Sequence, residues 1–186
     1  MGRNGRATRP MSKPILIIFS GLPGTGKTTL AKRLAARLNA VYLRADTIET
    51  ALVQGGIKDV GGLGYTVGYA TAKENLSLGN NVIADSVNPW QLTRDAWRQA
   101  AKDAGAPFID VEIVCSDRRE HRQRIENREI DIAGLKAPAW QDVLDRDYHP
   151  WTDPRVQIDT AGRSIEEALE ELFQEISARL EHCRIP

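Results

Sequence analysis

Gly21-Leu22-Pro23-Gly24-Thr25-Gly26-Lys27-Thr28 has the residue types and the spacing to hold a chain of phosphates. It fits G-x-x-x-x-G-K-[ST] at every fixed position. Glycines let successive backbone N–H groups turn inward around phosphate oxygens. A helix starting behind the loop adds the positive end of its dipole. Lys27 would reach the β- and γ-phosphates, the Thr28 hydroxyl would ligate Mg²⁺, and Thr29 would complete the nucleotide-binding run. ATP with Mg²⁺ is the expected cofactor pair. Such a loop must follow a strand and open a helix. The apolar run Pro14 to Ser20 precedes it, and Leu30, Ala31, Leu34, Ala35 and Leu38 follow at helical spacing.

Phosphate loops serve switches, hydrolases and kinases alike, so other residues must separate these classes. A guanine-specific switch needs N-K-x-D, and no [NT]-K-x-D occurs. Motor and transporter ATPases place Glu after the Asp that ends an apolar strand, to activate water. Here that stretch reads Ile83-Ala84-Asp85-Ser86, and the chain has no Asp-Glu dipeptide and no L-S-G-G-Q signature. A phosphotransferase fits better. It must close over ATP and exclude water, and a polar, arginine-bearing helix suits that task.

The elements that must position these residues alternate along the chain. Strands are expected at Pro14–Ser20, Val41–Ala45, Asn81–Ala84, Pro107–Cys115 and Arg155–Thr160. Helices are expected at Lys27–Leu38, Asp46–Val53, Tyr65–Leu78, Thr93–Ala104, Arg118–Arg128 and Ala139–Asp145, with a glycine-heavy loop over 55–64. Ser164 and Glu167 form a capping box for a closing helix. Its stripe would be Ile165, Ala168, Leu169, Leu172, Ile176 and Leu180. The helix over 118–128 is polar almost all round, so it is expected to be exposed or to face a charged ligand. This alternation implies an α/β fold with a parallel sheet covered on both faces. Ligands of such sheets bind at the carboxyl ends of the strands, which is where the phosphate loop, Asp46, Asp85, 116–128 and Thr160 fall.

Bulk properties bound the class. With 186 residues the chain suits one domain with a real core. Lys+Arg and Asp+Glu both count 25, which argues against bulk nucleic acid as partner. Cys115 and Cys183 lack metal-site spacing and read as buried or idle thiols. His121, His149 and His182 show no partner spacing and read as surface histidines, with joining Arg124 one turn on in a lid the alternative for His121; Trp140 and Trp151 read as core anchors rather than base-stacking platforms. No apolar stretch is long enough to span a membrane, and the cytoplasm is the expected location. The expected division is a disordered basic arm at 1–12, with Met11 an alternative start, one domain at 13–182 and a tail at 183–186. The sequence is silent on oligomeric state.

With the loop, Asp46, Ala84-Asp85-Ser86-Val87-Asn88-Pro89 and Arg124-x-x-x-Arg128 in view, the chain resembles the small P-loop kinases. That group includes gluconate kinase, chloramphenicol phosphotransferase, zeta-toxin-like kinases and bacterial polynucleotide kinase. The resemblance covers roughly Pro14 to Leu180, and the second half is most similar to AAA-family ATPase-like kinases. It implies a P-loop NTPase three-layer sandwich with strand order 2-3-1-4-5 and a small helical lid at about 118–147. It also implies that Asp46 takes the acceptor hydroxyl's proton, although Asp is equally suited to cap the following helix. Asp85 would hold Mg²⁺ through water or orient the acceptor. Asn88 would touch the acceptor or form an Asn-Pro turn. Arg124 and Arg128, four apart on one helix face, would grip the transferring phosphate from the lid, or be a solvated charged helix. Thr160 and Gly162, in the loop after the last strand, would pack on adenine through backbone contacts, or form a plain strand-to-helix turn.

One departure bears on the acceptor. Related polynucleotide and adenylylsulfate kinases carry Arg three residues after the base; here Glu49 stands there. An acid repels an anion, so a small neutral or cationic hydroxyl compound is the expected partner. Its pocket would use Glu49, Tyr65, Tyr69, Asp85 and Asn88, with Arg44 or Arg94 as a remaining cation. The alternatives are a 5′-hydroxyl polynucleotide kinase, a zeta-toxin-like kinase and a non-catalytic ATP-binding module.

Overall fold

A computed structural model describes residues 13–182; the basic arm, the 183–186 tail and Cys183 lie outside them. Five strands form one parallel sheet: β1 (Leu16–Ser20), β2 (Val41–Arg44), β3 (Val82–Asp85), β4 (Phe108–Val114) and β5 (Val156–Asp159). Their order is β2-β3-β1-β4-β5, as expected. Every neighbouring pair is parallel, with Phe19 opposite both Asp85 and Val111. The carboxyl ends therefore share one rim.

The described residues form seven helices: α1 (Lys27–Leu38), α2 (Ala45–Gln54), α3 (Leu63–Ser77), α4 (Gln91–Asp103), α5 (Arg118–Glu126), α6 (Trp140–Leu144) and α7 (Ile165–His182), of which α1, α3, α4 and α7 pack on the sheet. β1 is buried throughout, and its alternation feeds two cores. Ile17 and Phe19 pack with Leu30 and Leu34 of α1 and with Leu172 and Ile176 of α7. Leu16 and Ile18 pack with Ala72 and Leu76 of α3 and with Trp97 and Ala101 of α4. The Ser164–Glu167 capping box is present, with Ser164 N–H donating to Glu167 and Glu167 N–H to Ser164 Oγ. Ile165 departs from the expected stripe and is exposed; it sits at the cleft mouth, one residue inside the cap.

Two departures matter for the site. α5 ends at Glu126 rather than Arg128. Buried His121 and Ile125 anchor it, and the next positions on that face, Arg128 and Glu129, are charged. Arg124 and Arg128 therefore do not share a helix. Secondly, β4 carries Asp110 and Glu112, both buried. They meet Arg98 of α4 and Arg155, while the Trp151 ring lies 4.0 Å from the Arg94 guanidinium. Trp151 is an anchor as expected, but for a buried charged layer rather than an apolar one.

Candidate active site

The loop from Gly21 to Gly26 leaves the end of β1 and turns into α1. Gly24 and Gly26 have φ of 83° and 88°, a region that favours glycine. A Cβ on Gly24 would sit 2.7 Å from Ile125 Cδ1, so α5 lies directly on the loop. Three loop carbonyls are held by side chains, one within the loop and two from outside it. Thr25 Oγ1 donates to Leu22 O at 2.9 Å, His121 Nε2 lies 2.7 Å from Pro23 O, and Thr160 Oγ1 lies 2.9 Å from Thr25 O. Among the described residues, no hydrogen bond uses the backbone N–H of Gly24, Gly26, Lys27 or Thr28. A ring of unpaired donors at a helix start is an anion cradle.

Behind the cradle, Lys27 Nζ donates to Asp85 Oδ1 at 2.9 Å, and Tyr42 OH donates to Asp85 Oδ2 at 2.6 Å. Burial alone would push the Asp85 carboxyl up. The Lys27 charge, with hydrogen bonds from Tyr42, Lys27 and Thr28, outweighs it and holds Asp85 below the usual range. Thr28 and Asp85 thus offer hard oxygens of the kind Mg²⁺ takes alongside phosphates, so the residues present fit that ion. Tyr42 carried no signal in the sequence beyond its place two residues before the end of β2.

Asp46 and Glu49 lie on one face of α2 and line a cleft of about 1010 Å³, together with Lys27, Thr28, Tyr65, Arg124 and Arg128. Asp46 is the second residue of α2; Arg44 holds the N-cap position, so the capping role is not the one Asp46 takes. Its Oδ2 accepts from Arg44 Nη2 at 3.3 Å. Arg44 is buried and shared with Asp131, which accepts from Nη1 at 2.8 and 2.9 Å. Burial opposes the Arg44 charge, but these carboxylates more than restore it. Burial and then the Asp46 charge push Glu49 above the usual range, with Arg146 acting the other way. Glu49 also packs against α3, where a Cβ on Gly64 would overlap it.

Four expected acceptor residues do not line the cleft: Asp85 lies behind the cradle on Lys27 and Tyr42, and Asn88, Arg94 and Tyr69 turn elsewhere. Asn88 is fully buried with its amide committed: Nδ2 donates to Phe19 O and Ser20 Oγ, and Oδ1 accepts from Trp97 Nε1. Its φ of 48° makes it the left-handed turn residue after β3. Arg94 is also fully buried and donates to the carbonyls of Asn88, Pro89, His149 and Pro150. Tyr69 turns toward α4, with its ring edge-on to Trp97 at 4.7 Å. Tyr65 does reach the cleft, and its hydroxyl accepts the Asn88 N–H at 3.3 Å.

The lid side is more tied down than its sequence implies. Arg124 donates to Thr160 Oγ1 at 2.7 Å, to Thr160 O at 2.9 Å and to Glu120 at 2.6 Å. Glu120 also accepts the Gly162 N–H at 2.8 Å. Thr160 and Gly162 are therefore held by α5 and the loop, with the Thr160 hydroxyl propping the phosphate loop rather than projecting from it. Arg128 lines the cleft and makes no side-chain hydrogen bond or ion pair among the described residues. His121, expected at the surface, is buried against Pro23 with Trp140 edge-on at 5.2 Å. Its place one turn before Arg124 was the available signal. Lys136 and Arg146 also line the cleft, within the expected lid span but without a motif to mark them.

The model of the AAA domain family matches residues 16–146, well over half of the chain. The chain belongs to the AAA domain family. This AAA-domain chain is 26% identical over 191 residues to the "Probable adenylyl-sulfate kinase" of Aeropyrum pernix, covering 92% of itself and 97% of that relative. Among solved structures it matches one from Chloroflexus aurantiacus with a TM-score of 0.69 at 24% identity, over 90% of this chain and 98% of that one. It matches a gluconokinase from Sinorhizobium meliloti with a TM-score of 0.65 at 18% identity, over 92% and 96%. These relatives agree with the P-loop kinase resemblance, and no helix among the described residues is long and apolar enough to cross a membrane.

Proposed function

We propose that this chain transfers the γ-phosphoryl group of ATP to a hydroxyl of a small acceptor. One observation carries the reading: the anion cradle, the Asp46 carboxylate and Arg128, unpaired among the described residues, face one cleft. In this reading the cradle amides and Lys27 hold the phosphates, with Lys27 leaving Asp85 to do so. Thr28 and Asp85 would hold Mg²⁺, which neutralises charge on the β- and γ-oxygens when bound. Asp46 orients the acceptor hydroxyl and takes its proton, while Arg44 fixes its orientation. Arg124 and Arg128 face the charge that develops on the transferring group. Leu135, Lys136 and Pro138 of the lid segment line the cleft, where closure over the nucleotide would exclude water.

The acceptor wall beside Asp46 carries a second carboxylate, Glu49, and Arg44 there is already matched by Asp46 and Asp131. That wall supports a neutral or cationic acceptor. A second reading, adenylyl sulfate itself, is supported by the name of the Aeropyrum pernix relative and by Lys136 and Arg146 on the lid side. ATP consumption measured with adenylyl sulfate, neutral and cationic alcohols and 5′-hydroxyl oligonucleotides separates these. Asp46→Asn should lower transfer about 10²–10⁴-fold while leaving ADP binding unchanged. Undiminished transfer would remove Asp46 as the base, and no transfer to any acceptor would leave only a nucleotide-binding module.

A further inference from the structure

The orientation of the Pro23–Gly24 peptide needs a cause outside the loop. Pro23 has no N–H of its own to contribute. Gly24 accepts either sign of φ at little cost, so rotation about Pro23 ψ and Gly24 φ can invert the peptide between them. One orientation turns the Gly24 N–H to the phosphates. The other turns the Pro23 carbonyl there, which removes a donor and sets a partial negative charge against an anion.

The structure holds the first orientation through one side chain. His121 Nε2 lies 2.7 Å from Pro23 O. A carbonyl has no proton to give, so Nε2 is the protonated ring nitrogen. The peptide is trans, as no cis bond occurs among the described residues. In a planar trans peptide the N–H points opposite to the C=O. Drawing the Pro23 carbonyl toward α5 therefore sends the Gly24 N–H the other way, and no protein acceptor takes it. Thr160 does the same for the next such unit, drawing Thr25 O outward ahead of Gly26 N–H. The His121 ring is itself preset. It is 7% exposed, edge-on to Trp140, on a helix whose start is capped by Asp117 accepting from Arg119 and Glu120.

We infer that His121 is a positioning residue for the nucleotide: it pins the Pro23 carbonyl outward so that the Gly24 N–H is delivered to the phosphates. This rests on the reading of the loop as a nucleotide-phosphate site. The test uses the full chain, ADP titration calorimetry and the Gly24 amide proton in ¹⁵N-resolved spectra. In the wild type that proton moves strongly downfield when ADP binds. His121→Leu weakens ADP about tenfold and abolishes the shift, while His121→Gln, which can still donate to the carbonyl, recovers most of both. A wild type that binds ADP without moving the Gly24 proton overturns the inference, whatever the variants do. So does a folded His121→Leu protein that binds within twofold of wild type. A wild type that does not bind ADP, or a Lys27→Ala variant that binds as well as wild type, overturns instead the phosphate-site reading on which it rests.

Discussion

Arg44, at the end of β2, donates from Nη1 to both oxygens of Asp131, at 2.8 and 2.9 Å. The bond ties the irregular segment after α5 to the strand that leads into Asp46. Lys32 of α1 pairs with the same carboxylate, and Gln54 of α2 donates to Ala133 O nearby. One side chain thus links the lid segment to the proposed base through a shared guanidinium. Asp131→Asn should loosen 127–139, seen as faster limited proteolysis there, and should lower phosphoryl transfer about tenfold with ADP affinity unchanged. Unaltered proteolysis and transfer would show the clamp to be idle. Hydrogen bonds from Lys32 and then Arg44 hold Asp131 below the usual carboxylate range. A depressed folded value means that its stabilisation is present above the unfolded value, about 4, and is lost as pH falls through the folded one. The stability gap between wild type and variant should be flat from pH 5 to 8 and close in acid.

Arg124 and Arg128 look equivalent in sequence and are not. Arg124 donates two hydrogen bonds that join α5 to Thr160 and a third to Glu120 of its own helix, whereas the Arg128 side chain makes none among the described residues. Arg124→Ala should lower both thermal stability and turnover, because it leaves Glu120 and Thr160 without their partner. Arg128→Ala should change stability by no more than about 0.5 kcal/mol yet reduce kcat by roughly 10²-fold or more if it meets the transferring phosphate. Equal stability losses for the two, or normal turnover for Arg128→Ala, would remove Arg128 from the reaction.

Glu49 should set the charge of the acceptor. It shares a face of α2 with Asp46, and burial followed by the Asp46 charge raises its pKa, so it gains its charge later on a rising pH scale than an ordinary glutamate. Glu49→Gln should raise KM for cationic acceptors and leave ADP affinity alone. Glu49→Arg should go further and favour anionic acceptors, by about tenfold for each 1.4 kcal/mol of changed interaction. A KM series that does not sort by acceptor charge would place Glu49 outside acceptor recognition.

How much of this was legible depended on whether the signal was local. The phosphate loop was, because its spacing is covalent and the strand and helix around it are strongly patterned. The sheet order came from resemblance rather than from any residue pattern. Asn88, Arg94 and Tyr69 were legible as polar residues near a strand end or helix start, but not as buried ones. The inward turns of Tyr69 and Arg94 depend on Trp97 and on His149 and Trp151, distant in sequence from each, and that of Asn88 on β1 and on Trp97 once α4 is in place. Asp131 was missed, and His121 was read as a surface residue ahead of a lid role, for the converse reason. Each looks like one more polar residue on a charged stretch until α5 packs on Gly24 and the 127–139 segment crosses to Arg44.

The buried layer between β4 and α4 makes a prediction of its own. Asp110 is 5% exposed and pairs with Arg98 Nε at 2.9 Å, yet Asp110 Oδ1 and Arg98 Nη2 are buried without partners. A pair satisfied on one side only gains less from attraction than complete desolvation takes away. Burial accordingly lifts the Asp110 carboxyl to about 6; Arg98 pulls it down, and Asp153 adds to the rise while Arg94 opposes it. The sign follows: a raised folded value means stability that is full below the unfolded value, about 4, and declines as pH rises to about 6. Asp110→Asn cannot titrate, so the Tm of wild type minus that of the variant should fall between pH 4 and 6 and then level. ADP affinity should be unchanged in the variant, since Asp110 does not line the cleft. A difference that instead grows from pH 4 to 6 would mean that the ionised pair with Arg98 outweighs its burial.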